Sequence, residues 1–277
     1  MSRRYRNWRQ YLVATFLTIL TTGCSLTPSW IFDDRSKVGD GAPAGGIDVS
    51  TIKNAVPKAE PRSRSGNPSS YTVLGRTYHV MGSSSGYKEQ GVASWYGTKF
   101  HGKRTSSGET YSMYGMTAAH KTLPLPTYVR VTNLKNGREV IVKVNDRGPF
   151  HDNRIIDLSY AAATKLGITG TGTGLVEVEA LDPTKGMPRP TRNNIAIKGS
   201  TTLFLQVGAF IDRNNAERLA ERIRGSLNNK VRIQMVPSYA QTIYRVQVGP
   251  MRTIDQADAA SMQLAQLGIR DMHMIIE

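Results

Sequence analysis

Apolar and polar residues alternate through several short segments in the middle of the chain, and a period of two is typical of β-strands. The segments TYVRVTNL and REVIVKVN flank Lys135, Asn136 and Gly137, and Asn-Gly is a strong signal for a hairpin turn. GVASWYG and GLVEVEAL predict further strands, and RIIDLS predicts a strand that continues into a short helix ended by Gly167. Many short strands with one short helix predict a small closed β-barrel over residues 71–182.

A different pattern occupies residues 201–277. The stretch QVGAFIDRNNA, which starts at Gln206, matches QVGPMRTIDQA, which starts at Gln247, and each copy predicts a strand, a turn and the start of an amphipathic helix. With the strands VRIQMV and MHMII, the order becomes βαββαβ. This order predicts an α+β ferredoxin-like sandwich with both helices on one side of the sheet. The opposite face would present Phe204 and Arg245 with the two glutamines. This face suits a polar polymer, and it equally fits an ordinary solvated sheet face.

The N-terminus has the pattern of an exported chain. Four arginines without an acid precede the apolar run YLVATFLTIL, which is too short to span a bilayer and typical of a signal peptide. The only cysteine, Cys24, follows a glycine shortly after this run, as in a bacterial lipobox, although Thr21 stands where such boxes prefer leucine. We expect residues 1–23 to be removed and Cys24 to carry lipid. The alternative is an ordinary signal peptide with an incidental cysteine.

Two segments have the composition of linkers. Residues 33–70 contain four prolines and no aromatic residue, and residues 183–200 contain three prolines and no acid. Such segments lack the apolar residues needed for a packed core. They predict a lipidated N-terminus with a flexible linker over residues 24–70, and a second linker over residues 183–200.

The formal charge of +15 invites a nucleic-acid interpretation, but its distribution argues against one. Residues 89–182 carry 11 Lys or Arg against 9 Asp or Glu, and residues 201–277 carry 9 against 7. The excess therefore lies in the leader and the linkers, where no folded phosphate-binding face is formed. The aromatic signature of an RNA-recognition domain is also absent from residues 201–277. We expect no nucleic-acid partner.

The barrel segment concentrates the candidate chemistry. Asp146 follows Val140, Val142 and Val144 in the same period of two. A carboxyl on that apolar face would lose water, which raises its pKa. The alternative is a simple turn, because Asp, Gly and Pro are turn residues. The barrel segment contains no cysteine and no HxH or HxxxH spacing, so the sequence does not support a metal site. It also contains no Gly-x-Ser-x-Gly motif, so a serine nucleophile is not supported either.

Carboxyl chemistry on a sugar polymer fits these residues better. Trp95, Tyr96 and Phe100 are interpreted either as a platform that stacks on sugar rings or as core residues. One or two carboxyl groups can act on a glycosidic bond, and Glu109 joins Asp146 as a candidate. A hydrolase generally needs two. A lytic transglycosylase can use one, because the C6 hydroxyl of the muramoyl residue supplies the nucleophile and closes a 1,6-anhydro ring.

The barrel motifs resemble a known family. The runs GVASWYG, FHGKRTSSGETY, MTAAHKTLPLPTYVRVTNLKNGREVIVKVNDRGPF and RIIDLS resemble the double-psi β-barrel of the rare lipoprotein A family of septal-ring lytic transglycosylases. The last block resembles a SPOR domain. The resemblance implies catalytic roles for Glu109, His120 and Asp146, with Asp146 acting as general acid and then as base. It implies no cofactor.

The same resemblance implies a place and a substrate. We expect a lipid-anchored protein at the periplasmic face of the outer membrane, enriched at the division septum with possible division-site partners. It would cleave peptidoglycan strands that lack stem peptides, giving 1,6-anhydromuramyl products during cell separation. The alternative is a non-catalytic glycan-binding septal lipoprotein, because barrels of this shape also occur in wall-loosening proteins without catalytic activity.

Overall fold

A computed structural model describes residues 40–151, 153–185, 201–237 and 241–277. The expectations for the signal peptide, for Cys24 and for most of the second linker lie outside the described residues. Within them, no helix is long and apolar enough to cross a membrane.

The first domain is a closed six-stranded barrel, preceded by a small hairpin. The hairpin strands are β1 (Ser70–Val73) and β2 (Arg76–His79). The barrel strands are β3 (Lys88–Tyr96), β4 (Thr117–His120), β5 (Thr127–Asn133), β6 (Glu139–Asp146), β7 (Arg154–Ser159) and β8 (Gly174–Ala180). The barrel order is β3-β7-β4-β6-β5-β8, with β3–β7 and β4–β6 parallel and the other neighbours antiparallel. This confirms the predicted double-psi barrel.

Alternation along the strands fills the barrel. Val140, Val142 and Val144 of β6 are fully buried in one cluster with residues from the other five strands, as the period of two predicts. The short helix α1 (Tyr160–Leu166) begins where the Ser159 hydroxyl accepts a hydrogen bond from the Ala162 backbone N–H. It ends at a left-handed glycine.

The second domain has the predicted βαββαβ order. Its elements are β9 (Leu203–Phe210), α2 (Arg213–Arg224), β10 (Val231–Pro237), β11 (Thr242–Met251), α3 (Ile254–Gln266) and β12 (His273–Ile276), with the sheet order β10-β11-β9-β12. Leu205, Val207, Val246 and Val248 pack with the apolar stripes of both helices in one core. The ferredoxin-like prediction is therefore confirmed.

Residues 40–69 depart from the predicted flexible linker. They lie against the barrel and are tied to it by backbone groups: the Ala55 N–H donates to the Ile141 carbonyl at 3.0 Å, and the Ser63 N–H donates to the Leu125 carbonyl at 2.9 Å. Composition did not show this, because these hydrogen bonds use main-chain atoms that every residue carries. We call residues 40–69 the strap.

Candidate active site

The loop of residues 104–110 lies over the end of β6 and brings polar side chains to it. The loop is closed by a bridge between Arg104 and Thr110 and by the Thr105 N–H, which donates to the Glu109 carbonyl at 2.8 Å. The Ser107 N–H donates to the Asn145 carbonyl at 3.2 Å, which fixes the loop to the strand.

The Asp146 carboxyl is partly exposed and held at one oxygen. Oδ1 accepts hydrogen bonds from the Ser106 N–H at 2.8 Å, from the Ser106 hydroxyl at 2.7 Å and from the Arg147 N–H at 2.8 Å. Among the described residues Oδ2 has no hydrogen-bond partner. The three donors fix the orientation of the carboxyl group and leave Oδ2 as the oxygen that can meet a ligand.

Asp146 does not continue the valine line. In the β4–β6 ladder, Ala118 pairs with Val144 and Ala119 pairs with Asp146, so Asn145 is an extra residue on β6. Such a bulge interrupts the alternation of side chains and re-aims the residue that follows it. Asp146 therefore faces outward with Ala119, and the apolar environment expected from its phase is not the one it occupies.

The Arg147 guanidinium binds backbone carbonyl groups rather than this carboxyl. Nε donates to the Gly66 carbonyl at 2.8 Å, and Nη1 donates to the Leu123 carbonyl at 2.6 Å and to the His120 carbonyl at 3.1 Å. Burial lowers the pKa of the Arg147 guanidinium, and this effect outweighs the charges of Tyr71 and Asp146, which raise it. The Arg147 side chain thus holds the strap and the loop after β4, while its backbone N–H donates to Asp146.

His120 is buried and forms no direct hydrogen bond to a carboxyl group. Its Nδ1 accepts hydrogen bonds from the backbone N–H groups of Thr122 at 3.2 Å and Leu123 at 3.0 Å. Nε2 must then carry the proton, which it donates to the Tyr87 hydroxyl at 2.8 Å; that hydroxyl in turn donates to Glu89 at 2.6 Å. Burial lowers the pKa of His120 to about 3. This neutral imidazole holds the loop whose carbonyl groups bind Arg147.

Glu109 lies in an ion-pair cluster. Its carboxylate accepts hydrogen bonds from Lys143 Nζ and Asn145 Nδ2, each at 2.7 Å. Lys143 also contacts Glu60 of the strap at 2.9 Å. Burial alone would raise the pKa of the Glu109 carboxyl, but the hydrogen bonds from Asn145 and Lys143 outweigh it, so the pKa lies below its ordinary value. Glu109 is thus an anion near the end of β6 that is still 45% exposed.

Of the three aromatic residues proposed for sugar binding, only Phe100 is exposed. Tyr96 is 7% exposed and stacks on Tyr111 at 4.1 Å, and Trp95 packs against the core. Phe100 is 40% exposed, with the ammonium groups of two lysines within 6 Å of its ring. Sequence reasoning missed the neighbouring Tyr114, which is 44% exposed; its aromatic character was the available signal.

Asp157 is not among the site residues predicted from the sequence. Ser159 caps the helix itself. Ala119 pairs with Asp146 on one side and with Asp157 on the other. Their neighbours in the preceding row, Ala118, Val144 and Leu158, lie in the barrel core, so the row of Ala119 faces outward. The sequence between Asp146 and Asp157 does not indicate that the two residues lie in one row, because the row forms only when their strands pair with Ala119.

The predicted polymer-binding face of the second domain is partly closed. Phe204 is 4% exposed and Gln247 is fully buried, whereas Gln206 and Arg245 are partly exposed. The Arg232 guanidinium carbon lies 3.5 Å from the centre of the Phe204 ring, and its Nε donates to Gln247 at 2.8 Å. The accessible layer of this face carries Arg232 and Arg245, of which Arg232 also forms an ion pair with Glu277. The signal for Arg232 was its place on β10, directly opposite Gln247.

Comparisons with known proteins identify both domains. The family model described as lytic transglycolase matches residues 88–179, and the SPOR domain model matches residues 199–273. The endolytic peptidoglycan transglycosylase RlpA of Pseudomonas aeruginosa (strain UCBPP-PA14) is 42% identical, covering 83% of this chain and 82% of its own. RlpA of Vibrio cholerae is 40% identical, covering 94% of each chain.

A solved SPOR domain of RlpA from Pseudomonas aeruginosa is 27% identical over 26% of this chain and 96% of the solved chain, with a TM-score of 0.26. Because that score is low, the fold assignment rests on the strand order and the family models. A double-psi barrel with a lytic transglycosylase match, followed by a SPOR domain, defines the class: a lytic transglycosylase with an appended SPOR domain. The chain belongs to the family of endolytic peptidoglycan transglycosylases named RlpA.

Among the residues that the structure describes, no group of three His, Cys, Asp or Glu side chains is arranged to hold a metal ion.

Proposed function

We propose that this protein cleaves peptidoglycan glycan strands by a lytic mechanism, preferring strands without stem peptides and leaving 1,6-anhydromuramyl ends. The observation that carries the proposal is the Asp146 carboxyl, with Oδ1 held by three donors and Oδ2 left for a substrate. It lies in a barrel that matches the lytic transglycosylase family. The family relatives that carry the name endolytic peptidoglycan transglycosylase support the substrate class.

In this mechanism Asp146 is the catalytic residue. Its carboxyl gives a proton to the glycosidic oxygen as the bond to the muramoyl C1 breaks, and later accepts the proton of the C6 hydroxyl as that oxygen closes the ring. A positioned carboxyl contributes about 10²–10⁴-fold to such a reaction. No water is consumed, which separates this reaction from hydrolysis.

Glu109 and His120 support this carboxyl in different ways. Glu109 is the second carboxylate of the site, and its negative charge favours the positive charge that develops on the sugar ring. His120 acts as a positioning residue, because its imidazole holds the loop that binds Arg147, and the Arg147 N–H donates to Asp146. Phe100 is an accessible aromatic group for stacking on a sugar ring.

The SPOR domain supplies glycan binding. We infer that its Arg232, Arg245 and Gln206 contact the strand directly, with Phe204 and Gln247 supporting them from below. The free lactyl carboxylates of peptide-free strands are chemically suited to the arginine side chains of this face. We further propose a lipid anchor on Cys24, a place at the periplasmic face of the outer membrane, and a role at the division septum with division-site partners.

Mass spectrometry of the products from peptide-stripped sacculi tests the proposal. The unmodified protein should release anhydromuramyl products, and Asp146→Asn should release at least about 100-fold less. Products with reducing ends would identify a hydrolase instead. If the protein binds sacculi, releases nothing soluble, and Asp146→Asn behaves identically, the chain is the non-catalytic glycan-binding lipoprotein. The matched control is Glu177→Gln, which replaces a barrel carboxyl group that pairs with Lys88 at 2.8 Å.

A further inference from the structure

We propose that Asp157 is a second catalytic carboxyl group, which acts with Asp146 from the other side of Ala119. The inference rests on the proposed function and assigns its two proton transfers to two different residues. Asp146 and Asp157 share the outward row of Ala119 on three neighbouring strands. Two strand spacings put their Cα atoms about 10 Å apart.

This spacing is suited to two carboxyls that serve one bond. In glycosidases the paired carboxyl groups lie about 5–9.5 Å apart, and two aspartate side chains that lean toward each other span such a range from Cα atoms about 10 Å apart. Both carboxyls also lie near the same two tyrosines. Burial is the main cause that raises the pKa values of Tyr96 and Tyr111, and Asp146 and Asp157 are among the smaller electrostatic causes for both tyrosines.

The two carboxyls have different surroundings. Asp146 accepts three hydrogen bonds at Oδ1, whereas Asp157 accepts one at Oδ1, from the buried Ser94 hydroxyl. Among the described residues, Oδ2 of Asp157 has no hydrogen-bond partner and stays available to a substrate. Paired carboxyls in unlike surroundings are the arrangement that separates an acid from a base.

The charged groups around Asp157 are unable to offset its burial. Burial raises the pKa of the Asp157 carboxyl, while the Ser94 hydrogen bond and the charges of Arg154, Lys121 and His151 lower it; the net direction is upward. A carboxyl that keeps its proton to higher pH is suited to the role of acid. Asp157 therefore takes the proton-donating step.

The resulting reaction is balanced. The Asp157 carboxyl gives its proton to the glycosidic oxygen as the bond between that oxygen and the muramoyl C1 breaks. The muramoyl C6 oxygen forms the new bond to C1, and its proton passes to the Asp146 carboxylate. Solvent then returns a proton to Asp157 and removes one from Asp146, so the enzyme is restored and no co-reactant is needed.

The test compares two substrates: soluble peptide-free glycan oligomers, and the same oligomers ending in a 4-nitrophenyl leaving group that needs no proton. Asp157→Asn should lose at least about 100-fold in kcat on the natural oligomer and recover to within about fivefold of the unmodified protein on the nitrophenyl oligomer. Asp146→Asn should lose activity on both. Asp157→Asn activity within threefold of the unmodified protein on natural oligomers, or an equal loss on both substrates, would overturn the inference.

Ser94→Ala provides a second measurement that does not remove the carboxyl. Losing the Ser94 hydroxyl removes a bond that lowers the pKa of Asp157, so the alkaline limb of the kcat profile should move to higher pH. A structural role for Asp157 leaves that limb in place and would contradict the inference. Glu177→Gln again serves as the control, with thermal unfolding confirming that each variant folds. If the unmodified protein yields no anhydromuramyl product, the proposed function itself is wrong.

Discussion

His120 gives a prediction about stability whose size follows from its burial. The imidazole is 3% exposed, and burial lowers its pKa from an ordinary value of 6.5 to about 3. As the pH falls below 6.5, the unfolded chain binds a proton that the folded protein does not. Stability is therefore lost progressively from about pH 6.5 down to about pH 3. Each pH unit in that window costs about 1.4 kcal/mol, so the step from pH 7 to pH 5 removes about 2 kcal/mol.

Urea unfolding at pH 7 and pH 5 measures this loss for the barrel when Trp8 and Trp30 are replaced by Phe, because Trp95 is then the remaining tryptophan and its fluorescence follows the barrel. His120→Gln carries no titrating group, so it should lower stability at pH 7 but show about 2 kcal/mol less dependence on pH between 7 and 5. The exposed His151 is the matched control, and His151→Gln should keep the full dependence. An unmodified barrel that loses less than about 0.5 kcal/mol, or a His120→Gln variant that keeps the full loss, refutes the reasoning.

Three further outcomes follow from the site. Ser106→Ala removes one of the three donors to Asp146 and should lower kcat about fivefold to tenfold, which corresponds to a hydrogen bond of about 1–1.4 kcal/mol. Ser107→Ala removes a hydroxyl that lies 3.1 Å from the Thr105 hydroxyl, and its activity should stay within twofold in the same product assay. Arg147→Lys replaces a planar fork with one point charge and should destabilise the barrel by about 2–3 kcal/mol in urea unfolding; an unchanged midpoint would contradict this. Phe100→Ala should raise KM about fivefold with kcat unchanged and no loss of thermal stability, because the ring is exposed; a KM within twofold would remove Phe100 from the substrate surface.

The elements that the sequence predicted are those in which local signals agree with the fold. Asn-Gly at the β5–β6 turn, the alternation in β6 and the capped helix α1 each combine a turn or cap signal with a clear period. The internal repeat led to the second domain, because two copies of strand, turn and helix must share one sheet to bury their apolar stripes.

The elements that were missed lack such signals. The β1–β2 hairpin turns at Leu74 and Gly75 with φ of 51° and 75°, and leucine rarely adopts that conformation. Strand β4 reads TAAH, which has no alternation of apolar and polar residues. The strap is held by Asp40, Glu60 and Asn67 side chains together with main-chain groups, so its order depends on a barrel surface that its own composition does not describe.

The bulge at Asn145 shows why the phase of Asp146 was predicted wrongly. In a regular ladder Asn145 would pair with Ala119, and the Asp146 carboxyl would point into the barrel on the side of Val144, where burying an unpaired carboxylate is costly. The inserted residue turns Asp146 outward into the row of Ala119 and Asp157, and the Asn145 side chain holds Glu109. One residue that breaks the alternation therefore brings Asp146 into the same row as Asp157 and, through Asn145, next to Glu109. The departure from the pattern thus assembles the three carboxyl groups of the proposed site.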